Sequence, residues 1–454
     1  MLRREFLKQA GMSGAAIALT PNTAAQGEAS KRRNVVLYVG DDHGTNDAGC
    51  YGNPLVNTPG LDLLAREGTR FTHAFCTTPS CSPSRSVILS GMHNHTTGQY
   101  GLAHAKHHFV SFPDIKSLPN TLANAGYRTL CAGKHHVLPE DVYHFDAYVP
   151  TGVPSDMADR CRDFIGDASS PFFLYFCTVE PHRPFKREGF TPIDADTVKV
   201  PPHLPDTPEC REELAQYYAS IERADSGLLR LIEILKETGR WDDTLVIYIS
   251  DNGMPWPGAK TTLYEPGIRL PCVVRNPVSG RKGQTCDAMV SWIDITPTVL
   301  EFCQVAPADS RMQGRSFLHA MEEPSPMSRN EVYCSHTFHE VTMYYPMRAV
   351  RTRRHKLIWN IAHGLGFPFA SDLWNSKTWQ ATLHGRSTHY GKRAIDAYTN
   401  RPAFELYDLD ADPDEIHNLA DDPAYASLLA ELKDKIRRFQ EETGDPWLLK
   451  WERE

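Results

Sequence analysis

Long apolar runs are missing from this chain of 454 residues. No stretch approaches the ~20 residues that a membrane-spanning helix requires, which argues against a helical membrane protein. No two cysteines stand in a C-x-x-C spacing, so zinc-ribbon and dithiol-redox readings lack their signature. There is no repeat at a fixed period and no low-complexity tract, which leaves out solenoids and disordered linkers. Positive charge is also in short supply. The 48 Lys and Arg are outnumbered by 56 Asp and Glu, and the net charge of −8 disfavours non-specific binding to nucleic acid. An anionic ligand must therefore meet positive charge concentrated in one pocket.

What is present is the composition of a folded protein, with 41% hydrophobic and 23% charged residues. The length exceeds what one core ordinarily supports, so a large domain with a smaller companion is expected. The 33 prolines are spread along the chain and point to long, defined loops. Eleven cysteines is an odd number, so at least one is left over and needs another role.

The N-terminus reads as an address. Arg3 and Arg4 precede a short, weakly apolar run from Ala10 to Leu19, and Thr23, Ala24 and Ala25 offer small residues for cleavage. These are the parts of a Tat signal. Pro21 and the polar stretch Asn22–Arg33 would end a cytosolic amphipathic helix early, which weighs against that alternative. Residues 1–30 are read as signal and linker, with the Tat translocase as partner and the periplasm or the cell exterior as destination. Without residues 1–25 the chain carries 45 basic and 55 acidic side chains, a net charge of −10.

Buried parallel strands announce themselves as unbroken β-branched and aromatic runs. Asn34–Gly40, Tyr127–Ala132, Pro171–Thr178 and Thr244–Ser250 all read this way. Thr58–Gly68 reads as a helix, and Leu214–Thr238 as a long amphipathic helix ended by Gly239. Strands alternating with helices predict an α/β fold, a large and mainly parallel sheet flanked by helices over residues 31–330. Beyond about Gly314 the pattern changes. Met347–Asn360 alternates basic and apolar residues and predicts an exposed antiparallel strand, and Ala424–Glu442 predicts one helix. Residues 331–454 are expected to form a smaller α+β domain carrying an antiparallel sheet.

Two of the strands end in acidic turns, Asp41-Asp42-His43-Gly44 and Asp251-Asn252-Gly253. Ligands of open α/β sheets bind at the carboxyl ends of strands, where both turns would lie. Either turn alone is better explained as a cap or an Asx turn. Together, three carboxylates and an amide oxygen suit one hard cation, Ca²⁺ ahead of Mg²⁺. The third piece is C-S-P-S-R-S-V-I-L-S-G, Cys81 to Gly91. A structural cysteine, paired with Cys76 ahead of a capped helix, is its plain reading. A Cys–His nucleophile is another, but it leaves Pro83 and Arg85 unexplained.

That string resembles the signature of the type I sulfatases, whose cysteine is oxidised enzymatically to formylglycine. Other landmarks of the family follow in order: Gly133-Lys134-His135-His136 resembles G-K-x-H, Pro181-His182-Arg183-Pro184-Phe185 resembles P-H-x-P-F, and Lys260 follows the second acidic turn. Within the family the chain is most similar to the sulfamidases, the N-sulfoglucosamine sulfohydrolases. Thr244–Gly267, His339–Val350 and the run from Tyr100 to Phe109 carry that likeness. Lys260 departs from it, since sulfamidases have arginine there. The positive charge is kept, but not the bidentate grip.

The resemblance implies an alkaline-phosphatase-like sulfatase fold and a set of roles. A hydroxyl of the hydrated aldehyde at position 81 would attack sulfur, and the aldehyde would return as sulfate is expelled. Asp41, Asp42, Asp251, Asn252 and residue 81 would hold the metal. Arg85 would hold the nucleophile, and Lys134 and Lys260 would neutralise the sulfo oxygens. His182 would protonate the leaving group and His136 would act as base. Arg183, His339 and Glu340 match positions expected to border the sugar. The implied partners are a sulfated saccharide, first of all N-sulfoglucosamine of heparin-type chains, and a formylglycine-generating or anaerobic sulfatase-maturating enzyme. A homodimer is a further expectation. The rival readings are an O-sulfatase, a phosphomonoesterase or phosphonate hydrolase of the same superfold, and a glycan-binding protein whose Cys81 stays unmodified. Two-zinc phosphatases resemble S-D-H-G at the second turn, and Asn252 in that place favours one hard metal.

Overall fold

Alternation along the central strands decides the architecture. In the computed structural model, which describes residues 33–185, 189–323 and 328–453, β1 (Asn34–Gly40) is buried along its whole length. Val35, Leu37 and Val39 join one core, while Val36 and Tyr38 join a second core on the opposite face. Strands that feed two cores must be covered by helices on both sides. The helix Cys81–Ser90 supplies Val87, Ile88 and Leu89 to the first core. Helices Pro59–Glu67 and Pro208–Glu237 supply Leu61, Leu64, Leu228, Leu231 and Leu235 to the second. Each such side chain, fully buried, contributes about 1.5–3 kcal/mol.

The other strands of this sheet are β2 (Thr69–Phe75), β3 (Arg128–Gly133), β4 (Ala147–Val149), β5 (Phe172–Cys177), β6 (Thr244–Ser250), β7 (Cys272–Arg275) and β8 (Gln284–Ser291). Their order is β4-β3-β5-β1-β6-β7-β2-β8. Only β7 runs antiparallel to its neighbours. The expected α/β sheet, mainly parallel, is therefore present. A separate antiparallel sheet has the order β14-β11-β10-β9, built from β9 (Glu331–His336), β10 (Met347–Thr352), β11 (His355–Asn360) and β14 (Phe404–Asp408). The short β12 (His389–Tyr390) and β13 (Arg393–Ala394) pair with each other. The helix Ala426–Thr443 packs Leu432 and Ile436 on the second sheet.

Two sequence expectations need correction. The long helix starts at Pro208, six residues before the apolar pattern begins, because Thr207 caps it and Pro208 occupies its first turn. Met347–Asn360 is not one exposed strand. It is two buried strands, β10 and β11, turned at Arg353-Arg354 where Thr352 and His355 exchange hydrogen bonds. Arg348 and Lys356 look like parts of a solvated face in sequence, yet they are buried against acids from elsewhere. Arg348 pairs with Asp445, and Lys356 with Glu265 and Glu415 at 2.9 and 2.6 Å. Cys76 and Cys81 are not bridged, and all eleven cysteines are free, which counts against the plain reading of Cys81 as half of a disulfide.

Arg348 and Asp445 have no side-chain exposure, so removing one leaves the other as an unpaired buried charge. Asp445→Ala is expected to cost about 3–5 kcal/mol, read as a lowered denaturation midpoint in urea. A cost below about 1 kcal/mol would show that water reaches Arg348. Among the described residues no helix is long and apolar enough to cross a membrane. The stretch read as a Tat signal lies outside them.

Candidate active site

β1 and β6 pair in parallel with Gly40 opposite Ser250, so their acidic turns emerge side by side. The Asp251 N–H donates to Gly40 O at 3.0 Å, and the Asp42 N–H to Asp251 Oδ1 at 3.2 Å. Asp42 takes the left-handed backbone conformation (φ 69°), as do His136 (φ 60°) and Thr261 (φ 68°). Such conformations cost a non-glycine residue about 1–3 kcal/mol and gather at functional sites. Gly133, which opens the G-K-x-H turn, has φ 88°, and a Cβ there would lie 2.0 Å from Cys177 O.

Cys81 begins the helix that ends at Gly91, and every residue of that helix is buried. Its Sγ lies 3.5 Å from Asp41 Oδ1. One turn on, Arg85 donates Nε to Asp251 Oδ2 at 2.9 Å and Nη1 to Lys134 O at 2.9 Å, while its Nη2 lies 2.8 Å from the same carboxylate oxygen as an ion pair. Ser84 Oγ donates to Asp251 O at 2.5 Å and ties the helix to the second acidic turn. Burial pushes the Cys81 thiol well above its ordinary value, and Lys134 and Lys260 only partly oppose it. An unmodified cysteine here is a protonated thiol and a poor nucleophile.

Ligand atoms of Asp41, Cys81 and Asp251 lie within 4.8 Å of one another. Beside them, Asn252 gives Nδ2 to Asp42 Oδ1 at 2.6 Å, while its Oδ1 is buried without a hydrogen-bond partner. An orphaned buried acceptor beside carboxylates is what a hard cation would satisfy. Burial raises Asp42 and Asp251 to about 6, against Lys260 for the first and Arg85 for the second. Lys134 pairs with Asp41, and Lys260 bridges Asp42 at 2.9 Å and Asp372 at 3.0 Å. Four carboxylates (41, 42, 251 and 372) against three fixed cations (85, 134 and 260) leave one negative charge. A divalent cation would make that one positive, the complement of a singly charged sulfo group. The residues fit such a metal.

These groups open into a cavity of about 570 Å³. Cys81, Lys134, His136, His182, Arg183, His339 and Glu340 line it, so the predicted residues do converge. His182 Nε2 stands 3.8 Å from both Asp42 and Asp372. Burial, then Lys260, holds His182 down at about 4. His136 is hydrogen-bonded through Nε2 to His104 Nδ1. His339 accepts from or donates to Ser80 Oγ at 2.9 Å, just ahead of Cys81. The guanidinium of Arg183 faces away from a free role: it grips Glu213 at 2.5 and 3.2 Å and lies against the rings of Phe185 and Trp256. Glu340 accepts from the N–H and hydroxyl of Ser371 at 2.7 and 2.8 Å. Asp372 and His104 are among the cavity residues that escaped the sequence reading. Asp372 follows no strand and carries no motif, and His104 sits in a loop where a lone histidine is uninformative.

A buried cysteine at a helix start, carboxylates that fit a cation and two lysines at one strand edge suit a hydrolase of an anionic group. The sulfatase family model matches residues 33–305, and a model described as N-sulphoglucosamine sulphohydrolase, C-terminal, matches 258–364 and 379–442. The chain belongs to the sulfatase family and hydrolyses sulfuric esters or sulfamates. It is 37% identical to human N-sulphoglucosamine sulphohydrolase over 92% of each chain. It is 31% identical to an ulvan-active sulfatase of Formosa agariphila, over 92% of this chain and 81% of that one. A solved structure described with its substrate D-glucosamine-2-N,6-O-disulfate superposes with a TM-score of 0.70 at 21% identity, covering 92% of this chain and 99% of that one. Phosphonate monoester hydrolase of Agrobacterium radiobacter gives 0.70 at 19% identity, covering 91% and 96%. At those identities the likeness is one of fold.

Proposed function

We propose that this sulfatase releases sulfate from N-sulfoglucosamine at the end of heparin- or heparan-type saccharides. The observation that carries this is the 37% identity with human N-sulphoglucosamine sulphohydrolase along nearly the whole of both chains. The cavity supports it, because its wall includes His339, Glu340 and Asp372, all from beyond residue 330. A pocket closed by such distant segments suits a chain end better than an internal unit.

Asp41, Asp42, Asp251, Asn252 and residue 81 would hold one Ca²⁺, which when bound supplies a Lewis acid at a sulfo oxygen. Cys81, converted to formylglycine by a maturating enzyme, supplies a hydrated aldehyde as nucleophile. The chain's other residues prepare the site for both. Arg85 fixes Asp251 and the start of the nucleophile helix. Lys134 and Lys260 bind the sulfo oxygens and oppose the charge that builds on them. His182 delivers a proton to the leaving atom, and the His136–His104 pair accepts one from the nucleophile. Export by the Tat route belongs to the same proposal, on Arg3, Arg4 and the short apolar run behind them.

The second reading, an O-sulfatase, is favoured by the 31% identity with the ulvan-active enzyme. Sulfate release from a panel of N-sulfo, 6-O-sulfo, 3-O-sulfo and 2-O-sulfo sugars separates the two. The expected result is preference for N-sulfoglucosamine. Release from an O-sulfo sugar alone would overturn the substrate and leave the sulfatase standing.

A further inference from the structure

Asp372 belongs to none of the sulfatase motifs, and it lies between the two stretches that the C-terminal family model matches. It stands on the short helix Ser371–Trp374, whose first residue Glu340 holds at both N–H and hydroxyl. Its carboxylate is 3.0 Å from Lys260 Nζ and 3.8 Å from His182 Nε2, and it lines the cavity that contains Cys81. One neighbour is therefore a group assigned to the sulfo oxygens, and the other a group assigned to the leaving atom. By those assignments the carboxylate would lie beside the bond to the leaving atom.

We propose that Asp372 is a specificity-determining residue that selects a sulfamate over a sulfate ester by accepting the hydrogen carried by the sulfamate nitrogen. This rests on the N-sulfo reading of the same site. In R–NH–SO₃⁻ the bridging atom bears one hydrogen. In R–O–SO₃⁻ it bears only lone pairs, which a carboxylate repels. The contrast grows during reaction. With a sulfamate, water's oxygen ends on sulfur, the S–N bond breaks with its electron pair going to nitrogen, and two protons join the one already there. The products are R–NH₃⁺ and SO₄²⁻, so a full positive charge forms beside Asp372. An ester leaves as a neutral alcohol, so no positive charge forms for that carboxylate to stabilise. Interactions that strengthen toward the transition state for one substrate only are the ones that set specificity.

The test uses the matured, metal-loaded, full-length enzyme. It compares kcat/KM for sulfate release from N-sulfoglucosamine and from 4-nitrophenyl sulfate, in wild type, Asp372→Asn and Asp372→Ser. Both variants are expected to lower the sulfamate rate at least about ten-fold and the ester rate by less than about three-fold. Competitive inhibition by glucosamine, which carries the product ammonium, should weaken about ten-fold, while inhibition by inorganic sulfate holds. A residue that only holds Lys260 in place would lower both rates together and weaken sulfate as much as glucosamine, and that result overturns the proposal. The inhibition measurement reads the same question if 4-nitrophenyl sulfate turns over too slowly or one variant fails to fold. A wild-type enzyme that acts on esters alone sinks the substrate reading. One that prefers the sulfamate, with its preference unchanged in both variants, sinks the role of Asp372 alone.

Discussion

Cys81→Ala is expected to lose sulfate release by on the order of 10⁴-fold or more, as removal of an essential nucleophile does in other hydrolases. The loss should fall on kcat, because the groups assigned to the sulfo oxygens, Lys134 and Lys260, are untouched. The fold should survive. The sulfur is buried, but alanine suits a helix start, and the turn is held from outside the side chain by Ser84 on Asp251 and by His339 on Ser80. A cost of about 1 kcal/mol is expected, read by thermal unfolding. Substantial residual turnover in that variant would sink the formylglycine mechanism. The companion measurement is mass spectrometry of the tryptic peptide Phe71–Arg85 from the native enzyme, which should be lighter than its thiol form and react with carbonyl reagents. A peptide carrying an intact thiol in active enzyme would move the chemistry to another group. The buried thiol is already a poor candidate, since burial holds it in its protonated form.

Why so much of this site was legible in the sequence, and Asp372 was not, has a physical cause. Asp41-Asp42, Lys134-His136, His182 and Asp251-Asn252 each follow a strand that is apolar on both faces, and such strands are the loudest signal a sequence carries. A parallel sheet then brings their ends to one edge whatever the loops do. Asp372 reaches the cavity through a loop and a four-residue helix, and tertiary packing alone places it there. The charges on β10 and β11 misled for a related reason. Arg348 and Lys356 alternate with apolar residues as a solvated face would, but their partners Asp445 and Glu415 lie far along the chain. No local pattern encodes a long-range ion pair. Arg183 shows the converse: its motif is visible, while its commitment to Glu213, on a helix that begins 25 residues later, is visible only in the fold.

Asp251→Ala should remove both the metal and the activity, and it should damage the fold as well. The three effects have separate causes. Asp251 contributes a carboxylate to a site with few ligands, so calcium bound after dialysis should fall from about one per chain to none. Without the cation, activity should drop by on the order of 10³-fold or more, since the Lewis acid is lost together with the order it imposes on the nucleophile. The fold suffers because Arg85 has no exposure, donates Nε to Asp251 and pairs its charge with that carboxylate. Taking the carboxylate away strands a buried guanidinium, at a cost of about 3–5 kcal/mol. Asp251→Asn separates these terms. Its amide oxygen can still accept from Arg85, and the packing is kept, but the charge that draws the cation is gone. Calcium should raise the unfolding temperature of the wild type, a chelator should lower it, and both responses should vanish in Asp251→Asn. Persistence of the calcium response in that variant would place the cation elsewhere. Metal analysis showing two zinc ions per chain would overturn the proposed single Ca²⁺ and shift the chemistry toward the phosphatases of this superfold.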